Sequence, residues 1–214
     1  MKALIVGLLV IAAIPSFAQD EEDYPDNRKK NENFSKLPKD NVRNDVATFA
    51  FAGLDERLGK EPLKISVPPV KNGGNYITFE GNGLKVHITA GLFDPSKHKL
   101  GYYDNKYLIK IDNKPYYGDY GAIPKYTIES ITVTLGKDTI GIPAAAYADL
   151  YSPDFAYTDG KGVARTHNAV YFSNDGHNIY IYMLNQELKG KYEVTWVIQD
   201  KKYVRRVVDS GLLK

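Results

Sequence analysis

The chain has 214 residues, with 28 basic and 26 acidic side chains and a formal net charge of +2. This near balance gives no electrostatic reason to expect binding to nucleic acid or to a strongly acidic substrate. The absence of cysteine excludes disulfide bonds, thiol catalysis and cysteine-ligated zinc, so stability must come from packing.

The first 18 residues predict a secretory signal peptide. Met1-Lys2 is followed by an apolar run from Ala3 to Ile14, and small residues occupy the two positions that signal peptidase reads before Gln19. The run is shorter than the roughly 20 apolar residues that a membrane-spanning helix needs. We therefore expect an exported protein, periplasmic or extracellular, with no transmembrane span after cleavage.

Residues 19–44 predict a disordered polar tether. The stretch begins with acidic residues, continues with Arg28-Lys29-Lys30 and has few apolar side chains. Such a composition cannot bury enough surface to offset the entropy lost on ordering. A partner-binding arm is the alternative function for this stretch.

Residues 45–214 predict a single domain that begins with one short helix. Apolar residues at helical spacing favour a helix that Gly59 ends, and a strand over residues 46–51 is the alternative. The apolar residues are Val46, Phe49, Ala50, Leu54 and Leu58.

Stretches of alternating apolar residues then predict strands. They cover residues 63–67, 76–79, 84–88, 106–111 and 126–135. The last of them turns at Gly136-Lys137, where glycine in first place favours a type II′ turn that pairs Val133 with Ile140. A short helix over residues 144–150 follows, and we expect it to close one end of the sheets.

Residues 164–209 predict an antiparallel meander of three hairpin arms, the clearest structural signal in the chain. Asp175-Gly176 is typical of a type I′ turn and pairs Tyr171 with Tyr180.

The final hairpin predicts a register as well as a fold. A two-residue loop at Asp200-Lys201 pairs Trp196 with Arg205 and places the guanidinium over the indole. Counted together, the strands predict an all-β fold, an antiparallel two-sheet β-sandwich with about nine or ten short strands and one or two short helices.

No spacing in the chain indicates a catalytic motif, a metal site or a cofactor. The histidines form neither H-x-H nor HExxH, and His167 and His177 lie more than about 20 Å apart on one predicted hairpin. The aspartates do not follow the calcium-loop spacing, so we expect them in turns, with a surface calcium ion as the alternative.

Tyrosine is unusually frequent, at 17 residues. It combines a large apolar ring with a polar group, which suits protein and sugar surfaces. The predicted surfaces are the loop 116–120 and the outward face of the first meander hairpin. Their candidate ligand-binding residues are Tyr116, Tyr117, Asp119, Tyr120, Tyr171, Tyr180 and Tyr182. Burial of the hairpin tyrosines under a helix or a second sheet is the alternative.

Three stretches resemble uncharacterised exported proteins of Bacteroidetes-type bacteria. They are KYLIKIDNKPYYG from Lys106, GKYEVTWVI from Gly190 and YVRRVV from Tyr203. The resemblance covers roughly the chain after residue 60. It implies a bacterial envelope or extracellular setting and brings no activity or site residues.

These features predict a non-catalytic binding or structural module of the cell envelope, which holds a glycan or an envelope protein through its tyrosine-rich surfaces. The alternative is a hydrolase of envelope or extracellular glycans that uses two carboxylates about 5–10 Å apart, one with a raised pKa. The candidate carboxylates are Asp104, Asp119, Asp154, Asp159 and Glu193.

Overall fold

The computed structural model describes residues 24–67, 69–186 and 190–211, which form an all-β fold of two facing five-stranded antiparallel sheets. Sheet 1 contains, in spatial order, β1 (Ile65–Val67), β11 (Ala169–Phe172), β12 (Asn178–Asn185), β13 (Tyr192–Gln199) and β14 (Lys202–Ser210). Sheet 2 contains β2 (Pro69–Gly73), β3 (Tyr76–Gly81), β4 (Leu84–Leu92), β7 (Tyr126–Leu135) and β8 (Asp138–Gly141).

Smaller elements complete the described chain. Two-stranded sheets pair β5 (Leu100–Tyr103) with β6 (Tyr107–Ile111) and β9 (Tyr157–Thr158) with β10 (Ala164–Arg165). The helical elements are α1 (Asn41–Val46) and short 3-10 helices at Lys30–Glu32, Phe34–Lys36, Phe51–Glu56, Pro95–Lys97 and Ala144–Ala146.

The inward faces of the two sheets share one apolar core, as the alternation along the strands predicts. Phe79 and Val133 of sheet 2 and Trp196 of sheet 1 are fully buried in it. The indole N–H of Trp196 donates to the Ala146 carbonyl at 2.9 Å, so the 3-10 turn there closes one end of the core. The predicted helix through residue 150 is wrong, because the backbone on both sides of Leu150 pairs with Tyr117 instead.

Two predicted hairpins have the expected register. Tyr171 pairs with Tyr180, and Val133 pairs with Ile140. Gly136 adopts a φ of +62°, the left-handed region that its turn requires of the first loop residue.

The turn at Asp175-Gly176 is longer than predicted. Asp175 keeps a negative φ, and Gly176 has a φ of +76°. Ser173 and Asn178 close the loop with a backbone hydrogen bond of 2.9 Å. The loop has four residues instead of two, but it is still centred on Asp175-Gly176. The strands therefore keep the predicted register.

The predicted register of the last hairpin is wrong past its first pairs. A β-bulge between Val197 and Ile198 shifts the pairing, so Trp196 lies opposite Arg206 rather than Arg205. Because one extra residue exchanges the faces of a strand, Arg206 is 6% exposed and Arg205 is open to solvent.

Residues 24–63, the N-terminal segment, pack across sheet 1, mainly on its outer face. Phe34 is 3% exposed, and its backbone N–H donates to the Asp209 carboxylate at 2.9 Å. A second apolar core forms where the segment meets outward side chains of sheet 1 such as Tyr180 and Val197. The prediction of a disordered tether is therefore wrong over residues 24–44, because the sheet supplies buried partners that composition does not show. The predicted signal peptide lies outside the described residues.

The helical part of this segment also differs from the prediction. Helix α1 begins after Asp40, whose side chain accepts a hydrogen bond from the Arg43 N–H. It ends at Val46, and a separate 3-10 helix covers Phe51–Glu56. A Cβ on Gly53 would lie 2.5 Å from the Ala47 Cα, so the chain turns closely back on itself between the two helices.

Candidate functional site

The loop 116–120 is packed rather than open. Tyr116, Tyr117 and Tyr120, here named the aromatic cluster, are 1%, 2% and 1% exposed. The Tyr116 hydroxyl donates to the carbonyls of Leu108 and Ala122 at 3.0 and 2.7 Å. Burial raises the pKa of the Tyr116 and Tyr117 phenols. The prediction that this loop presents open rings to a ligand is wrong.

The tyrosines of the meander hairpin are covered by the N-terminal segment. The Phe49 ring stacks on Tyr171 with centroids 4.4 Å apart. The Tyr180 hydroxyl donates to the Asp45 carboxylate at 2.6 Å, and Tyr182 donates to Glu193 at 2.7 Å. An open aromatic platform is therefore wrong here, and the alternative of a covered face is confirmed.

The outer face of sheet 2 is open to solvent and carries polar side chains. Cross-strand pairing across β3, β4, β7 and β8 orders them into three rows, while the intervening residues point into the core. The rows are Tyr76, Thr89 and Ser130; Thr78, His87 and Thr132; and Glu80, Lys85, Thr134 and Thr139. With Asn75 and Glu129, most of these residues line a groove of about 670 Å³, here named the sheet 2 groove.

Hydrogen bonds hold the floor of the groove in place. The Thr78 hydroxyl lies 2.7 Å from the His87 Nδ1, which leaves the Nε2 atom of that imidazole for another partner. The Tyr76 and His87 rings lie 6.0 Å apart. The Thr89 and Ser130 hydroxyls share a hydrogen bond of 2.8 Å. Such a floor offers donors, acceptors and one aromatic ring without reorganisation on binding.

Charged groups stand at the ends of the groove. Lys85 pairs with Glu80 at 3.2 Å, and both side chains are more than half exposed. The Glu129 carboxylate lies against Gly91, where an added Cβ would come within 2.0 Å of its Oε1. Two carboxylates against one ammonium make the groove mildly acidic, which disfavours a polyanionic ligand.

The sequence contained part of the signal for this groove. Thr132 and Thr134 alternate with buried residues of β7, and His87 alternates within β4. Alternation shows that such side chains share a face, and it does not show whether that face is covered. Only the packing of the N-terminal segment on sheet 1 identifies sheet 2 as the open one.

A second cavity of about 340 Å³ brings two of the candidate carboxylates together. Asp119 and Asp154 both line it, with Lys125 and Ser152. Burial raises the pKa of Asp154, against opposing effects of the His167 charge and a backbone N–H.

The backbone of this cavity is strained. Asp119 and Ser152 have φ values of +46° and +49°, and the Ser152 hydroxyl donates to the Asp119 carboxylate. Non-glycine residues in this region cost of order 1–3 kcal/mol each and cluster at functional sites.

The other candidate carboxylates lie outside this cavity, in a turn or against backbone N–H groups. Asp104 lies in the exposed turn between β5 and β6 with a φ of +51°. Asp159 accepts hydrogen bonds from the Lys161 and Val163 N–H groups. Glu193 lies beneath the N-terminal segment and accepts from its backbone.

In the ranges that the structure describes, no group of three or more His, Asp or Glu side chains is arranged to hold a metal ion. Over the same ranges, no helix is long and apolar enough to cross a membrane.

Comparison with known proteins adds no relative. No protein-family model, curated protein or solved structure matches this chain.

Proposed function

We propose that the protein is a non-catalytic binding module of the bacterial envelope or extracellular space, and that it holds a neutral glycan in the sheet 2 groove. The observation that carries this proposal is the contrast between the two sheets. Sheet 1 is covered by the N-terminal segment, whereas the outer face of sheet 2 carries three rows of hydroxyl, imidazole and charged groups that are exposed or half-buried, apart from the buried Thr78.

The chemistry of the groove favours a sugar over other ligands. Threonine hydroxyls donate and accept hydrogen bonds, as sugar hydroxyls do, and the His87 Nε2 either donates or accepts according to its tautomer. The Tyr76 ring at one end of a row offers a flat apolar surface for the C–H face of a sugar. The groove is lined across three neighbouring strands, so it suits a chain of sugars better than one small molecule, for which enclosed apolar pockets are the rule.

The test uses the predicted mature chain, residues 19–214, on an oligosaccharide array and in polysaccharide pull-downs. We expect retention on one class of neutral glycan. The double variant Tyr76→Ala and His87→Ala should lose at least about tenfold in affinity, which is roughly 1.4 kcal/mol, while its melting temperature stays within a few degrees. If this variant retains the glycan as strongly as the unaltered protein does, the groove is not the binding site.

A matched control removes two aromatic rings elsewhere. Tyr102 and Tyr103 on β5 are each 44% exposed and lie outside the groove. The double variant Tyr102→Ala and Tyr103→Ala should bind the glycan like the unaltered protein. Equal losses in both double variants would indicate a general effect of surface tyrosines on adsorption.

A second candidate function rests on the cavity shared by Asp119 and Asp154. A half-buried carboxyl group with a raised pKa suits a proton donor, and a second carboxyl group in the same cavity suits a base or nucleophile, as in glycoside hydrolysis. On this alternative, Asp154 donates the proton to the leaving oxygen and Asp119 acts on the opposite face of the sugar. If the protein releases reducing ends from a glycan and Asp154→Asn abolishes that release, the hydrolase function is established. If the protein retains a glycan but releases no reducing ends, hydrolysis of that glycan is excluded.

Export is part of the proposal and rests on the N-terminal sequence. Expression of the full chain in a Gram-negative host, followed by fractionation and N-terminal sequencing, should give an exported protein that begins at Gln19. A cytoplasmic protein that begins at Met1 would overturn this part alone.

A further inference from the structure

Two phenols of the aromatic cluster bind the backbone of the N-terminal segment at alternate residues. The Tyr120 hydroxyl donates to the Pro25 carbonyl at 3.1 Å and accepts from the Asn27 N–H at 3.3 Å. The Tyr117 hydroxyl donates to the Lys29 carbonyl at 2.9 Å. The contacted residues alternate along the chain, as they do when an extended peptide is bound along its backbone.

Two side chains of the same stretch lie on the aromatic rings. Tyr24 stacks on Tyr107 with centroids 5.0 Å apart, and its hydroxyl donates to the Tyr120 carbonyl. The Arg28 guanidinium lies 4.5 Å from the Tyr120 ring centroid, within the range of a cation–π interaction. Tyr24 and Arg28 are four positions apart, and the chain bends at Arg28, whose N–H donates to the Asp26 carboxylate at 3.0 Å.

The aromatic cluster is packed more firmly than the stretch of chain that lies on it. Tyr117 and Tyr120 are fully packed, and Gly118 between them has a φ of +86° and lies against the backbone of Tyr151. By contrast, no residue from 24 to 33 is buried, and the first buried anchor of the segment is Phe34. A preformed site with a half-exposed occupant is able to exchange that occupant without unfolding the core.

We infer that the aromatic cluster is a peptide-binding site for segments that carry a tyrosine and, four positions later, an arginine, and that residues 24–29 occupy it in cis. The backbone contacts do not depend on the side chains of the bound peptide, and the two side-chain positions supply the selectivity. Linkage in one chain gives residues 24–29 an effective concentration in the millimolar range, so a segment of another protein must compete with them. This site is separate from the sheet 2 groove, and either assignment stands without the other.

The test measures peptide binding in trans by fluorescence anisotropy. The probe is a fluorescein-labelled peptide of residues 24–33, and the receptor is the full chain 19–214 with Tyr24→Ala and Arg28→Ala. We expect this variant to bind the probe at least about tenfold more tightly than the unaltered chain, because the cis occupant is weakened. A probe with the same two alanine substitutions should bind the variant at least tenfold more weakly than the natural probe.

Two further variants separate recognition from loss of structure. Lys29→Ala removes an exposed positive charge and leaves the bound carbonyl in place, so it should bind the probe as weakly as the unaltered chain. Tyr120→Phe in the double variant keeps the ring and removes the bonds to residues 25 and 27, so it should weaken binding several-fold.

The inference is overturned if the double variant keeps its circular dichroism spectrum and cooperative unfolding yet binds neither probe. Equal binding of the natural and substituted probes overturns it as well. If the double variant does not fold, Arg28→Ala alone carries the same comparison, since it leaves the Tyr24 contacts in place.

Discussion

Replacing Arg206 by alanine is the sharpest test of the described packing. Its guanidinium is 3% exposed and lies between the carboxylates of Asp149 and Glu32. It bonds Glu32 at 3.0 and 2.8 Å, Asp149 at 2.8 Å and the Ala146 carbonyl at 3.2 Å. Burial alone lowers the pKa of Arg206. The hydrogen bonds and charges of the two carboxylates together raise that pKa by a larger amount, so the guanidinium stays charged.

The expected cost follows from what the substitution leaves behind. Removing one member of a buried ion pair costs about 3–5 kcal/mol, because its partner stays buried and unpaired. Asp149 and Glu32 are 17% and 27% exposed, so water screens part of the charge and we expect the lower end, about 3 kcal/mol. In a domain of this size that lowers the melting temperature by roughly 6–12 °C.

The neighbouring arginine is the matched control. Arg205→Ala removes the same side chain one residue away, on the exposed face of β14, and should change stability by about 0.5 kcal/mol or less. Urea unfolding followed by tryptophan fluorescence measures both variants, since Trp196 lies opposite Arg206. If Arg205→Ala proves the costlier substitution, the bulge between Val197 and Ile198 is refuted.

Three further predictions concern buried groups. Burial raises the pKa of Asp209 to about 6, with a smaller opposing bond from Phe34 and the Glu193 charge adding to the rise. Its stabilising contribution is therefore complete below about pH 4 and is lost as the pH rises through 6, so Asp209→Asn should stabilise the protein more at pH 7 than at pH 4 in urea titrations. Tyr117→Ala should cost about 3–5 kcal/mol in the same assay, because it empties a fully buried site. Gly118→Ala should cost more than about 1 kcal/mol, since a Cβ there meets the Tyr151 carbonyl oxygen at 2.1 Å, and thermal unfolding will show it.

Each of these has an outcome that contradicts it. An Asp209→Asn effect that is equal at pH 4 and pH 7 would show that this carboxyl has an ordinary pKa in the folded state. A Tyr117→Ala protein with an unchanged melting temperature would mean that the loop is open after all. For Gly118, the control is Gly160→Ala, where no atom lies within 4 Å of an added Cβ; equal small effects at both glycines would contradict the close approach.

Local patterns in the sequence determined the class of fold and much of the pairing. Strand residues alternate with a period of two, so the residues of β3, β4 and β7 that face the core can be predicted from the sequence. Glycine at Gly136 determined a turn, and the turn set the pairing of Val133 with Ile140. The pairing of Tyr171 with Tyr180 was also predictable. The loop is longer than predicted by one residue on each side, and such a change does not alter which strand residues pair.

Tertiary structure alone decided which surfaces are open. The bulge next to Ile198 leaves no signal in β14, where valines lie on both faces, yet it moves Arg206 into the interior. The polar stretch before residue 45 looks unable to fold, and it orders because Asp209 and Arg206 offer it buried hydrogen-bond partners. Those partners come from strands more than 130 residues away in the chain. A candidate site built on exposed tyrosines therefore failed, since exposure depends on what the rest of the chain places on top of a face and not on the residues within it.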